Sequence, residues 1–191
     1  QSALVMVENR TGYVRAFVGG RDFRQNQYSH VTQARRQAGS SFKPIVFTAG
    51  WEHGLTPQDT VLDEPWSLGE WTPENYRAGR YSGEVTLQES LIRSLNIPTA
   101  RMLNEMIGAD GPTEVVALAH RLGITGYLPP YPALALGVAE VTLMEMTTAY
   151  TVFPNLGIRV MPVTVRHVVT LDGQILEENV PERIPSMDAR I

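Results

Sequence analysis

The sequence predicts an α+β fold, a helical middle flanked by β-hairpins, on three observations. Residues 3–20 place two β-branched runs around a polar turn. Residues 162–178 do the same around Asp172-Gly173. Between them, apolar residues recur at helical spacing behind capping signals. With 191 residues, 43% of them hydrophobic, the chain has material for one compact domain or most of one.

Taken in order, the chain begins at Gln1 in strand-like sequence, and Ala3 to Val7 and Tyr13 to Val18 form the arms of a hairpin spanning 1–20. Gly19-Gly20 ends it, and the polar residues 21–35 make a surface connection. A helical region follows over 39–155. Gly39 permits a sharp turn, Ser40 and Ser41 start a helix, Pro44 falls in its first turn, and Gly54 caps it after about His53. Ile45, Val46, Ala49 and Gly50 supply an apolar face for burial. Residues 55–82 are rich in proline, glycine and tryptophan and read as irregular, the tryptophans either sealing the loop against the core or lining a groove. Thr86 to Glu89 writes a capping box for a helix ended by Pro98. Two more helices cover 99–107 and 112–122, and Thr142 to Glu145 repeats the box before a helix stopped by Pro154. The second hairpin lies within 160–180, and the tail from Pro181 is polar.

Composition excludes several classes. A net charge of −4 with scattered arginines argues against a nucleic-acid surface. The absence of cysteine removes disulfides and thiolate metal sites, and His30, His53, His120 and His167 form no ligand pair, so no metal and no cofactor are expected. No apolar run approaches the roughly 18 residues of a membrane span.

The chemistry concentrates at Ser40-x-x-Lys43. On a helix these residues share a face, so a neutral Lys43 amine can take the proton of the Ser40 hydroxyl. The pattern also occurs in ordinary exposed turns. Composition strengthens it: of 16 basic residues, 15 are arginine and the one lysine is Lys43. Arginine stays protonated, whereas a desolvated lysine can serve as a base; arginine-favouring coding is the bland alternative. A second constellation, Ser94-x-Asn96, stands where a helix gives way to a turn. A hydroxyl there can relay a proton and an amide can hold a peptide group, although asparagine also caps helix C-termini.

With both motifs present, 54 residues apart, the sequence resembles the transpeptidase domain of class A penicillin-binding proteins. The phrases Arg36 to Pro44, Trp71 to Tyr76, Ser94 to Pro98 and Ala135 to Thr142 are similar to that family's recurring segments, in its order. The resemblance implies a fold of the serine β-lactamase and penicillin-binding transpeptidase type. It implies that Ser40 attacks a D-Ala-D-Ala stem peptide of peptidoglycan and forms an acyl-enzyme, that β-lactams block this, and that an amine then takes the acyl group. Lys43 would be the base, Ser94 the relay and Asn96 the orienting amide, with Trp71 and Asn75 as further substrate contacts. It also implies a membrane-anchored parent acting at the extracytoplasmic face of the bacterial cell membrane.

The family's third motif, Lys-Thr-Gly, is not in this sequence, since its lysine is Lys43, and Arg10-Thr11-Gly12 reads as a hairpin turn. The expectation is a chain covering 1–191 as the N-terminal part of one such domain, lacking C-terminal sheet strands, impaired in acylation and prone to self-association through exposed sheet edges. Two alternatives remain. A serine β-lactamase would need a glutamate in Glu-x-x-Leu-Asn, where Ala100 precedes Leu103-Asn104. A non-catalytic module binding peptidoglycan or a partner would have no use for the lone lysine.

Overall fold

The computed structural model describes residues 2–191, so the strand start expected at Gln1 lies outside the described residues. The elements in chain order are β1 (Leu4–Val7), β2 (Val14–Val18), β3 (Arg36–Gln37), α1 (Lys43–Glu52), β4 (Thr60–Asp63) and β5 (Gly83–Thr86). Then come α2 (Leu87–Arg93), α3 (Asn96–Arg101), α4 (Gly111–Arg121), β6 (Glu140–Val141) and α5 (Leu143–Tyr150). The last are β7 (Ile158–Val160), β8 (His167–Val169), β9 (Ile175–Glu178) and β10 (Arg183–Pro185). By its internal packing the chain divides into two compact units.

Of the described residues, one unit holds 2–36, 120–125 and 141–191. In it β1 pairs antiparallel with β2, Leu4 facing Val18 and Met6 facing Ala16, with a register slip after Met6. Gly12, at φ +74, ends the polar turn, and a Cβ there would lie 2.5 Å from the Met161 carbonyl oxygen, so only glycine fits. Two main-chain bonds secure that crossing, Val14 N to Val163 O at 2.9 Å and Val163 N to Gly12 O at 2.9 Å. The second hairpin is β8–β9, narrower than the 160–180 expected, because Val160 belongs to β7. The tail is not merely polar: Arg183–Pro185 forms β10 and pairs with β7. Backbone pairing recruits this segment without apolar alternation, and its proline closes an edge strand, where a missing N–H is tolerated.

Helix α5 carries the full capping box, Thr142 Oγ1 accepting from Glu145 N and Glu145 Oε2 accepting from Thr142 N. It ends at Tyr150 rather than Phe153: Thr151 and Val152 stay right-handed, and Phe153–Asn155 forms a separate 3-10 turn with Pro154 inside it. Burial raises the Glu145 carboxyl, but hydrogen bonds from Thr142 and Thr125 outweigh it and hold the pKa down at about 2. Thr125 contributes both its N–H, at 3.0 Å, and its hydroxyl, at 2.7 Å. A carboxyl depressed in the folded state stabilises it above pH 4.5, and that stability is lost as pH falls from 4.5 toward 2. Glu145→Gln should therefore flatten the acid limb of the stability curve, removing on the order of 2 kcal/mol at neutral pH, as measured by denaturation across that range. Equal acid limbs in both proteins would overturn the assignment.

The other unit holds residues 37–119 and 126–140. Its centre is α1, which buries Phe47 and Thr48 as well as the expected Ile45, Val46 and Ala49. A helix enclosed on nearly all sides shields its N-terminal Lys43 from solvent. Phe42, Leu87, Ile97, Met102, Leu103, Leu118 and Leu134 complete the core. Residues 55–82 are not wholly irregular, since β4 pairs antiparallel with β5, Val61 opposite Val85. The surrounding turn residues hide this short alternation of Val61 and Asp63 inward with Thr60 and Leu62 outward.

Helix α2 also ends earlier than expected. Thr86 Oγ1 caps Glu89 N at 3.1 Å, but the Glu89 carboxylate turns to Arg93 instead of closing the box. The break comes at Ser94, which adopts the left-handed conformation (φ 54, ψ 43). Pro98, expected to stop α2, sits instead in the first turn of α3, where its lack of an N–H does no harm. From Met102 to Met106 the helix widens into a π turn, and the next begins at Gly111, where a Cβ would stand 2.2 Å from Leu103 O.

Candidate active site

Ser40 lies not on α1 but in the 3-10 turn Gly39–Phe42 that feeds it. Gly39 enters the turn at φ +56, and Ser41 Oγ closes it by donating to Ala38 O at 2.6 Å. The segment at 137–139 holds the turn from the side: Gly39 N donates to Gly137 O at 2.9 Å and Ala38 N to Ala139 O at 3.3 Å. Gly137 is itself left-handed, and a Cβ there would lie 2.1 Å from Gly39 O. Main chain therefore presses on main chain, and Ser40 is left exposed beside the contact.

Lys43 opens α1 and is 1% exposed. Its Nζ lies 2.6 Å from Ser94 O, 2.8 Å from Asn96 Oδ1, 3.1 Å from Ser94 Oγ and 3.2 Å from Leu95 O. The structure thus joins three of the predicted residues, Lys43, Ser94 and Asn96, around one nitrogen. Burial pushes the Lys43 amine down to about 8, well below an ordinary lysine. The left-handed bend at Ser94 delivers this arrangement, since it turns carbonyl and hydroxyl of one residue toward the same amine. Among the described residues no hydrogen bond joins the Ser40 hydroxyl to Lys43. Three of these four neighbours can only accept, so the arrangement is that of an amine donating all its N–H bonds to Ser94, Leu95 and Asn96.

Asn96 does not cap a helix C-terminus. It is the first residue of α3, its Oδ1 receiving Lys43 and its Nδ2 donating to Glu74 O at 2.8 Å. One N–H and one lone pair of the amide remain for a bound peptide. Its backbone is held from a distance: Asn75 Oδ1 accepts from Asn96 N at 2.9 Å and Ile97 N at 3.3 Å, capping α3 from another loop. Asn75 Nδ2 donates to Asp63 Oδ1 at 2.6 Å and to Arg80 O at 3.3 Å. Asp63 is fully buried, and its other oxygen accepts from Ser82 N at 3.0 Å.

The two expected substrate contacts, Asn75 and Trp71, both make contacts within the protein. Asn75 has both donors and its acceptor oxygen engaged internally, the oxygen holding the backbone of Asn96. Trp71 packs edge-on against Trp66, centroids 6.0 Å apart, and exchanges main-chain hydrogen bonds with Leu68. It seals its loop. Asp63 escaped sequence reading because a lone aspartate at the end of a four-residue strand has no signature. At the position of a lactamase glutamate, Ala100 is fully buried and Asn104 Nδ2 donates to its carbonyl at 2.8 Å.

Residues 2–188 match the family described as penicillin binding protein transpeptidase domain. Penicillin-binding protein 1A of Aquifex aeolicus is 36% identical over 188 residues, 95% of this chain and 25% of that protein. The crystal structure of penicillin-binding protein 1A from Haemophilus influenzae superposes with a TM-score of 0.86 at 31% identity, covering 95% of this chain and 27% of that one. PonA1 from Mycobacterium tuberculosis in complex with penicillin V superposes with a TM-score of 0.82 at 28% identity, covering 92% and 49%. The chain spans about a quarter of the length of the curated relatives it matches.

Proposed function

Since this chain belongs to the penicillin-binding protein transpeptidase family, we propose that it carries the nucleophile and proton-transfer residues of a peptidoglycan cross-linking serine D-Ala-D-Ala transpeptidase. The observation that carries the reading is the buried Lys43 amine gathered against Ser94 and Asn96, one helical turn from an exposed Ser40. Ser40 Oγ attacks the carbonyl carbon between the two D-alanines, and its proton passes to Lys43 Nζ, directly or through Ser94 Oγ. The C–N bond breaks, the leaving D-alanine amine takes a proton back, and an ester on Ser40 remains. An amine of a neighbouring stem then attacks that ester, the new amide forms as the C–O bond to Ser40 breaks, and the amine's proton returns to Ser40 Oγ. A β-lactam ring is opened by the same first step, and with Ala100 where a lactamase would place its carboxylate, hydrolysis of the ester is slow. The substrate places the work at the extracytoplasmic face of the bacterial membrane; among the described residues no helix is long and apolar enough to cross it.

Incubation of protein carrying this chain with a fluorescent penicillin, followed by peptide mass mapping, should find one stable adduct on Ser40. A rapidly lost adduct would favour the lactamase, and none at all would favour a binding module. The pH profile tests the base. With the amine at about 8 and required neutral, the labelling rate should rise about tenfold per pH unit up to about 8 and level off above it. A rate independent of pH between 6 and 9 would remove Lys43 from the role.

A further inference from the structure

Beside Ser94 and Leu95 the helical unit encloses a cavity of about 540 Å³ whose wall is unusually basic for a chain of net charge −4. Arg77, Arg80 and Arg93 all line it. Arg93 is already engaged, with Glu89 at 2.6 Å and Ser82 Oγ at 2.7 Å. Arg77 and Arg80 have no ion pair among the described residues. The carboxylate on the wall, Asp63, has both oxygens hydrogen-bonded, to Asn75 and to Ser82 N, and is fully buried.

The two unpaired guanidinium groups are not on a loose loop. Arg80 N donates to Arg77 O at 3.1 Å, Gly79 supplies the left-handed residue between them, and Arg80 O accepts from the Asn75 amide. Asn75 is also the residue that fixes the backbone of Asn96. One buried side chain therefore sets both the acylation cluster and the basic turn, giving them a common frame.

We infer that this cavity is a subsite for an anionic substituent, the free carboxylate of an acidic residue in the peptide whose terminal bond reaches Ser40. The inference rests on the acyl-transfer reading for the identity of that peptide. Its chemistry is that of guanidinium and carboxylate, in which a planar donor pair meets two oxygens. Because Arg77 and Arg80 are exposed, the pairing is screened by salt.

Fluorescein-labelled peptides ending in D-Ala-D-Ala, with glutamate or glutamine at either of the two positions before that dipeptide, separate the possibilities by fluorescence anisotropy. One glutamate peptide should bind about five- to tenfold tighter than its glutamine twin at low salt, the ratio falling toward one at about 0.5 M salt. The R77Q/R80Q double variant should abolish the preference with its melting temperature unchanged, while R21Q/R24Q, altered on an exposed stretch elsewhere, should retain it. Equal affinity for both peptides, no binding of either, or equal loss in the two double variants would overturn the subsite. Penicillin labelling separates this result from the parent reading. A carboxylate preference without any Ser40 adduct leaves the subsite standing and removes the transpeptidase, whereas an adduct without a preference does the reverse.

Discussion

Lys43→Arg is expected to reduce covalent labelling of Ser40 by about a thousandfold or more, to background on the timescale of the native reaction. General-base assistance contributes about two to four powers of ten, and arginine cannot provide it because it does not release its proton at ordinary pH. The substitution keeps the charge and changes the base, so it separates the two. It also crowds a site that is 1% exposed, where a planar guanidinium must meet acceptors gathered around a single amine. Circular dichroism and denaturation should accompany the rate measurement, and Lys43→Met, which fills the space without charge, should be equally inert. Labelling by a folded Lys43→Arg protein at the native rate would assign the proton to another group.

Asn75→Ala should lower stability by about 3 kcal/mol and slow acylation about tenfold. It removes the acceptor for Asn96 N and Ile97 N together with the donor to buried Asp63, leaving several polar groups in the interior without partners. The rate falls because the start of α3 is released, and with it the Asn96 oxygen that meets Lys43. Asn75→Asp is a sharper probe: it keeps an acceptor for α3 but sets a second carboxylate against Asp63, so it should be at least as unstable at neutral pH and recover in acid. Urea denaturation and the penicillin labelling rate give both quantities. Native stability and rate combined with weaker peptide affinity would return Asn75 to direct substrate contact.

The motifs were legible in the sequence because their chemistry is local. Ser40 and Lys43 are one turn apart, and a chain using arginine 15 times and lysine once marks the basic residue that the fold buries. The hairpin arms at β1 and β2 and the cap of α5 were legible for the same reason, each being written in adjacent residues. What escaped reading is what distant segments decide. Pro98 looks like a stop, yet Ser94 in a left-handed conformation breaks the helix first and the proline opens the next one. The strand β4 is too short to show a period, and β10 takes its conformation from its partner β7. Asn75 carried no sign of its cap on α3, because the groups it satisfies lie about twenty residues away.

The passage of Gly137 over Gly39 has a consequence for how resistance to inhibitors can arise. The turn carrying Ser40, the proposed nucleophile, is braced there by peptide groups, and a peptide group is the same whatever residue carries it. Substitution of neighbouring side chains leaves that bracing, and with it Ser40, in place. Substitution cannot act at position 137, where the smallest added carbon would overlap the Gly39 carbonyl. An inhibitor anchored on the peptide groups of 39 and 137 would rest on a surface that substitution has little means to alter, while one that relies on neighbouring side chains leaves escape open.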